Sequence, residues 1–358
     1  MRIGIFDPYL DDLGGGEKYM MTIAECLSQK HKVDVFWDNN EDFKALAQRF
    51  SLDMSRVNLV PNIFSPKTAT IKRLLGTKKY DVVIVLSDGS IPFVLSKKLF
   101  LHLQQPLENF NPQSLKGKIK LSRVNGIFCN SQYTELFNQK RFKIKSLVIY
   151  PPVSFLKKNV RKENIILTVG RFRVRDVITG LDDYKKFPVM IEVFKKMVAA
   201  GLKDWKLLIA TSIKDEDKSV FEEFRKSVKG FPIEFLVNKT NDELWNVYSR
   251  AKIYWHASGF GKDLRKHPEY AEHFGMSTVE AMGAGAVPVV IGAGGQKEIV
   301  REEENGFLWN TLEELESKTV ELINNTLLLN KLAKNAEKSS RRFSKEKFCQ
   351  EINDMVLR

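Results

Sequence analysis

No run in the 358 residues approaches the ~20 consecutive apolar positions of a membrane-spanning helix. The opening MRIGIFDPYL enters a strand pattern directly, without the basic and apolar regions of a leader, so the chain is expected to stay where it is made. Cysteine is scarce. Cys26, Cys129 and Cys349 are odd in number, far apart and lack CxxC spacing. That argues against a disulfide framework or a zinc site and for a reducing compartment, read as the cytoplasm. Internal repeats and low-complexity tracts are missing too, and the first glycine cluster, Gly14-Gly15-Gly16, is not a GxGxxG, so it carries no dinucleotide signature.

The basic excess is concentrated in one stretch. Residues 1–88 balance 12 Lys/Arg against 12 Asp/Glu, whereas residues 89–150 set 10 Lys/Arg against Glu108 and Glu135 alone. Most of the net charge of +13 therefore sits in that quarter of the chain, on Lys97, Lys98, Lys116, Lys118, Lys120, Arg123, Lys140, Arg141, Lys143 and Lys145. Such a segment can face anionic lipid headgroups, a phosphate-bearing acceptor or nucleic acid, or form a scattered solvated face. The segment lacks the interleaved aromatics of an RNA-binding pattern, which speaks against nucleic acid.

What is present is a length and a hydrophobic share of 43% that point to two domains. Strand patterns at residues 2–7, 33–37, 81–86, 99–103 and 126–130 alternate with helical or loop stretches, and Met20, Ile23, Ala24 and Leu27 mark the first helix. This reads as a doubly wound parallel sheet over residues 1–150. Tyr150-Pro151-Pro152-Val153 breaks regular structure and residues 151–162 read as a linker. A second α/β series over residues 163–340 has strands at 165–170, 206–210, 233–236, 253–255 and 287–291, and residues 341–358 include an amphipathic helix with Phe348, Ile352 and Met355 on one face. The expected fold class is α/β, with two Rossmann-like domains facing across a cleft and the last helix packing back on the first. Ligands of open α/β sheets bind beyond the carboxyl ends of the strands, where His102, Arg171 and Glu272 are expected.

The stretch 271–291, AEHFGMSTVEAMGAGAVPVVI, holds the densest chemistry. Glu272 and Glu280 stand eight positions apart around a turn, Phe274-Gly275-Met276-Ser277, that opens a short helix. Ser277-Thr278-Val279-Glu280 has the spacing of a capping box, and Gly283-Ala284-Gly285 stops the helix. A helix entered through glycine offers backbone amides and the positive end of a dipole to a phosphate, and the flanking carboxylates suit sugar or ribose hydroxyls. Taken alone, Glu280 fits equally well as the cap partner of Ser277, and Glu272 as a solvated loop charge.

Together these segments resemble the retaining glycosyltransferases of family 4, which have the GT-B fold. The resemblance rests on Glu272 to Met282, the family's E-x7-E with its F-G turn and trailing E-A-M. Further support comes from Pro288-Val289-Val290, Gly294-Gly295-Gln296-Lys297-Glu298-Ile299-Val300, Asn305-Gly306-Phe307-Leu308, Gly14-Gly15-Gly16-Glu17 and Asn130-Ser131-Gln132-Tyr133-Thr134. Tyr150-Pro151-Pro152-Val153 and Glu272-His273-Phe274-Gly275 look most like the branch of mannosyltransferases of lipid-linked oligosaccharide assembly.

The resemblance implies a metal-independent transfer, needing no cofactor, of a hexose from a nucleoside-diphosphate sugar to a glycan or lipid-linked acceptor with retention. The enzyme would work in the cytoplasm, at the inner face of a membrane. Glu280 would hold the donor ribose and Glu272 the donor sugar. The amides of Phe274, Gly275, Met276 and Ser277 would hold the diphosphate or the sugar, with Gly15 and Gly16 approaching the phosphates from the other domain. Val169-Gly170-Arg171 matches the family's V-G-R, whose arginine neutralises the diphosphate. Its companion lysine normally follows within a few residues; here twelve residues intervene and the register points to Lys185, with Lys186, Arg173 or Arg175 as alternatives. His102 matches the family's histidine near the reacting sugar, a position that a purely structural histidine also fits. Nucleotide-sugar epimerases share the architecture and remain the alternative enzyme class.

Overall fold

The computed structural model describes residues 1–12, 14–107, 114–142, 145–156, 158–173 and 184–357. The chain divides into two compact units, Met1–Pro152 joined by the terminal helix, and Val153–Ser344. Each is an open parallel α/β sheet.

In the N-terminal unit the chain runs β1 (Arg2–Phe6), α1 (Gly15–Ser28), β2 (Lys32–Phe36), α2 (Asn40–Phe50), β3 (Val57–Val60), α3 (Thr70–Thr77), β4 (Val82–Leu86), β5 (Lys98–Leu103), α4 (Leu115–Leu121), β6 (Gly126–Cys129), α5 (Gln132–Phe142) and β7 (Leu147–Val148). The sheet order is β3-β2-β1-β4-β5-β6-β7, all parallel. All five residues of Val82–Leu86 are buried, as a strand covered on both faces requires. From β1 the chain winds one way through β2 and β3, then returns past β1 to wind the other way. Right-handed crossovers therefore put α1 and α2 on one face and α3 and α4 on the other. Two cores match those faces. Ile3, Ile5, Met20, Ile23, Leu27, Val82 and Ile84 pack on one, and Phe36, Tyr80, Val83, Val85, Leu99 and Leu101 on the other.

The C-terminal unit runs β8 (Glu163–Arg171), α6 (Phe187–Ala199), β9 (Lys206–Ser212), α7 (Lys218–Lys226), β10 (Ile233–Val237), α8 (Asn241–Arg250), β11 (Ala251–His256), α9 (Met276–Gly283), β12 (Val287–Ile291), α10 (Gln296–Ile299), β13 (Phe307–Trp309), α11 (Leu312–Asn324) and α12 (Thr326–Ser340). Its order is β10-β9-β8-β11-β12-β13, again all parallel. Strands β7 and β13 escape the periodicity reading because they have only two and three residues, and β3 because only Val57 of its four residues is buried. This unit begins ahead of β8: Val153 bridges to Ser344, Lys158 donates its amide to Ser249 Oγ, and the Phe155 ring lies where a side chain on Gly283 would stand.

The last helix, α13 (Lys345–Leu357), returns to the N-terminal unit, where Phe348, Ile352 and Met355 join the core around α1. Lys345 pairs with Glu25 at 2.6 Å. This return corrects the cysteine reading. Cys26 of α1 and Cys349 of α13, 323 residues apart in sequence, are bonded, with Cα atoms 5.2 Å apart. Spacing along the chain says nothing about two helices that the fold lays together, and the inferred reducing compartment loses that support. Cys129 is a buried free thiol.

Candidate active site

The C-terminal unit's chain diverges between the neighbouring strands β8 and β11: β8 leads toward β9 and β10, β11 toward β12 and β13. Beyond the carboxyl ends of strands at such a switch point lies the usual ligand site of an open sheet. Here Lys185, following β8, meets Glu272, following β11, with Nζ 2.5 Å from Oε2. The expectation that Glu272 stands just past a strand end needs correction. It lies sixteen residues beyond His256, the last residue of β11. The intervening loop turns at Gly259 and Gly261, both with positive φ, and through the short 3-10 helix Pro268–Tyr270. Tyr184 donates to the carbonyl of Ala271 at 2.6 Å, tying the Lys185 segment to that loop.

His256 was not foreseen. Its buried ring holds Nε2 3.0 Å from the same Glu272 oxygen. Burial lowers its pKa against the pull of the carboxylate, so the ring is neutral and carries the proton that it donates on Nε2. Burial alone would push the Glu272 carboxyl up, but Lys185 and the His256 hydrogen bond outweigh it and hold the group well below the ordinary carboxylate range. Glu272 is thus an anion, and both of these contacts fall on its Oε2. The only signal in the sequence was a histidine ending an apolar strand.

Two glycines explain how the loop is held. A side chain on Gly294, whose φ is +59°, would stand 2.3 Å from the Glu272 carbonyl, and one on Gly295 2.4 Å from Phe274 Cα. The Gly295 amide donates to the Glu272 carbonyl at 2.8 Å. The glycine pair therefore exists to let two backbones touch.

The expected capping box is not formed. Helix α9 starts one residue earlier and is capped by Gly275, whose φ of +117° favours glycine, without a side-chain cap bond. Ser277 instead accepts from Tyr254 at 2.8 Å, and Glu280 accepts from the buried Tyr248 hydroxyl at 2.9 Å. With both side chains turned to tyrosines, the first turn's amides have no side-chain acceptor at the N-cap, and the Thr278 amide turns to the Gly275 carbonyl at 3.0 Å. Gln296 is fully buried against Gly275, and neither of its side-chain polar atoms has a hydrogen-bond partner among the described residues. Phe274 is buried against Phe343, and Met276 is half-buried.

Arg171 ends β8 with an exposed side chain. Lys185 lies along Gly170, where a Cβ would stand 2.6 Å from its Cγ, so the V-G-R glycine makes room for the lysine. Among the alternatives, Arg173 is committed to the carbonyls of Phe172 and Ser212, and Lys186 is the left-handed N-cap of α6. Arg175 lies outside the described residues.

Gly15, Gly16 and His102 belong to the N-terminal unit. Gly16 stands in the first turn of α1, so close to Gln104 that a Cβ would meet its side-chain oxygen. Glu17 caps Gly14 from inside the helix at 2.7 Å. His102 lies within β5, stacked at 4.1 Å on Tyr19 and at 4.8 Å on Phe128, with Nδ1 3.3 Å from the Phe128 carbonyl. Burial lowers its pKa to about 3, and Nε2 has no hydrogen-bond partner among the described residues. Asp7, at the end of β1, is also buried; desolvation and the nearby Glu17 push its carboxyl up to about 8.

Residues 154–339 match the family described as Glycosyl transferases group 1. The chain belongs to the group 1 glycosyltransferases. A GDP-Man:Man(3)GlcNAc(2)-PP-Dol alpha-1,2-mannosyltransferase of Dictyostelium discoideum is 27% identical over 247 residues, 65% of this chain and 46% of that protein. The chain thus spans about half the length of that relative. Anabaena HepE, solved with UDP and glucose, superposes with a TM-score of 0.73 at 19% identity, covering 100% of this chain and 99% of that one. A Rickettsia africae glycosyltransferase superposes with 0.76 at 16% identity, covering 99% and 97%. At these identities the likeness shows the fold, and this group 1 glycosyltransferase has the two-domain GT-B architecture.

Proposed function

We propose that this chain transfers a hexose from a nucleoside-diphosphate sugar to a hydroxyl of a lipid-linked glycan, with retention and without a metal. The observation that carries this reading is Glu272, held ionised by Lys185 and His256 at a switch point and followed directly by the glycine-capped helix α9. Glu272 accepts hydroxyls of the donor sugar, and Glu280 accepts the ribose. The α9 amides, with Gln296 beside Gly275, take the diphosphate. Gly15 and Gly16, which leave the start of α1 without side chains, form a second phosphate-binding loop, and His102 supports the sugar side as a neutral ring.

Negative charge builds on the leaving diphosphate as its bond to the anomeric carbon breaks. Arg171, Lys185 and the helix amides supply the compensating positive charge, the role a metal plays elsewhere. The acceptor oxygen bonds to the same face of that carbon, and its proton passes to an oxygen of the departing phosphate. Glu272 then acts by position and charge and forms no covalent sugar adduct. The mannosyltransferase relatives favour transfer over epimerisation, GDP-mannose as donor and a lipid-diphosphate glycan as acceptor. The acceptor would be met at a membrane surface, on its cytoplasmic side.

Thermal unfolding with GDP-mannose, UDP-glucose and ADP-glucose tests the donor, since a ligand bound only by the folded state raises the melting temperature. The expected result is a shift with one class, followed by transfer in the presence of EDTA to a lipid-diphosphate oligosaccharide. NMR of the product should show the donor's anomeric configuration. An inverted product, or isomerised nucleotide sugar formed without acceptor, removes the assignment.

A further inference from the structure

One outer surface of the N-terminal unit carries aliphatic side chains where a packed helix normally presents polar ones. In α3, Ile71 and Leu75 lie one turn apart and are 63% and 62% exposed. In α4, Leu115 and Ile119 repeat the spacing at 78% and 51%. A helix that packs by one stripe turns such i, i+4 pairs inward, and these two helices turn them outward. Phe93 and Leu95, in the segment between β4 and β5, are exposed as well.

The three pieces are contiguous. The Leu95 amide donates to Thr77 Oγ1 at 3.0 Å, Lys120 Nζ lies 5.4 Å over the Phe93 ring, and Arg123 reaches the Ser96 carbonyl at 3.5 Å. Their inner side is already occupied by the core around Val83, Val85, Leu99 and Leu101, against which Ile63, Leu121 and Val124 pack. The outward residues are not spare core.

The charge around them has one sign. Lys72, Arg73, Lys78 and Lys79 flank the α3 pair, and Lys118, Lys120 and Arg123 the α4 pair. No acidic residue occurs between Asp53 and Asp81, and only Glu108 between Asp88 and Glu135. Lys97 is already paired with Asp81 at 2.7 Å. A second copy of the chain would bring like charge against like on such a face.

We infer that α3, residues 93–96 and α4 form a docking face for an anionic lipid bilayer. Ile71, Leu75, Leu115 and Ile119 enter the boundary between headgroups and acyl chains, while Lys72, Lys78, Lys79 and Lys118 meet lipid phosphates. Short apolar insertions and a basic rim each bind weakly, and together they give reversible attachment. This deepens the proposed function, whose acceptor lies in such a surface. Its test needs no turnover, so its failure leaves the transferase reading standing.

Flotation of the full chain with phosphatidylglycerol-containing vesicles and with pure phosphatidylcholine vesicles is the measurement. Binding is expected to the anionic vesicles only, and to weaken with salt. Lys72→Glu with Lys118→Glu should lower it roughly tenfold or more. Ile71→Ser with Ile119→Ser should lower it at unchanged net charge. Lys229→Glu with Lys334→Glu, exposed positions of the C-terminal unit, should leave it unchanged. Thermal unfolding confirms that each variant is folded. The inference is overturned if the wild type floats with neither vesicle, if the C-terminal pair costs as much as the patch pair, or if the serine pair binds undiminished. It is equally overturned if light scattering shows a dimer that Ile119→Ser dissociates while vesicles are ignored.

Discussion

Both units wind outward from a central strand, β1 in one and β8 in the other, and in each the buried ionisable groups stand at or past the carboxyl halves of the strands. In the C-terminal unit burial is overcome by partners, and Glu272 stays ionised between Lys185 and His256. In the N-terminal unit burial prevails: Asp7 is pushed up to about 8 and His102 down to about 3, so both are uncharged near neutrality. The same sheet thus supports opposite electrostatics, because a cation within hydrogen-bond reach of a buried carboxyl reverses the sign of its shift.

The sharpest way to break this contrast is at Glu272. Glu272→Ala should lower transfer on the order of 10²–10³-fold, with an unchanged circular dichroism spectrum. Turnover close to wild type would remove the residue from the mechanism. Lys185→Met should follow, with kcat down about 10²-fold as the leaving group loses a cation. Lys186→Met is the matched control, and a larger loss there would move the role to Lys186.

Smaller effects sharpen the picture. Tyr248→Phe removes the hydroxyl that orients Glu280, worth about 1 kcal/mol. The donor KM should rise several-fold at nearly constant kcat, and the preference for a ribose over a deoxyribose donor should shrink. A weaker KM with that preference intact would mean that Tyr248 acts only in packing. In the N-terminal unit, the folded Asp7 keeps its proton up to about pH 8, whereas the unfolded carboxyl loses it near its ordinary 3.8. Its stabilising contribution is therefore full at low pH and is lost as pH rises through that window. Asp7→Asn, which mimics the neutral acid, should raise the melting temperature by a few degrees at pH 8 and by less at pH 5. Equal shifts at both values would show that Asp7 is not protonated in the fold.

Glu272, Glu280 and Arg171 could be singled out as candidates because they sit in motifs of fixed spacing along the chain, whereas Lys185 lay twelve residues beyond such a spacing, with Lys186, Arg173 and Arg175 left open beside it. His256 and Gln296 could not be singled out, because a histidine ending a strand and a glutamine after two glycines have no distinctive neighbours in sequence. The capping box misled for a related reason. Ser277 and Glu280 had the right spacing, but buried tyrosines from α8 and β11 offered each a tertiary partner that local periodicity cannot reveal.

Most of the succession of strands and helices, the α/β class with two units and the E-x7-E pair follow from the chain itself, since apolar periodicity and glycine placement act over a few residues. The bond between Cys26 and Cys349, the contact of Lys185 with Glu272 across 87 residues, and the ionisation of Glu272 against Asp7 were decided only in three dimensions. Contacts of that range, and the dielectric that each charge feels, depend on which segments the fold lays side by side.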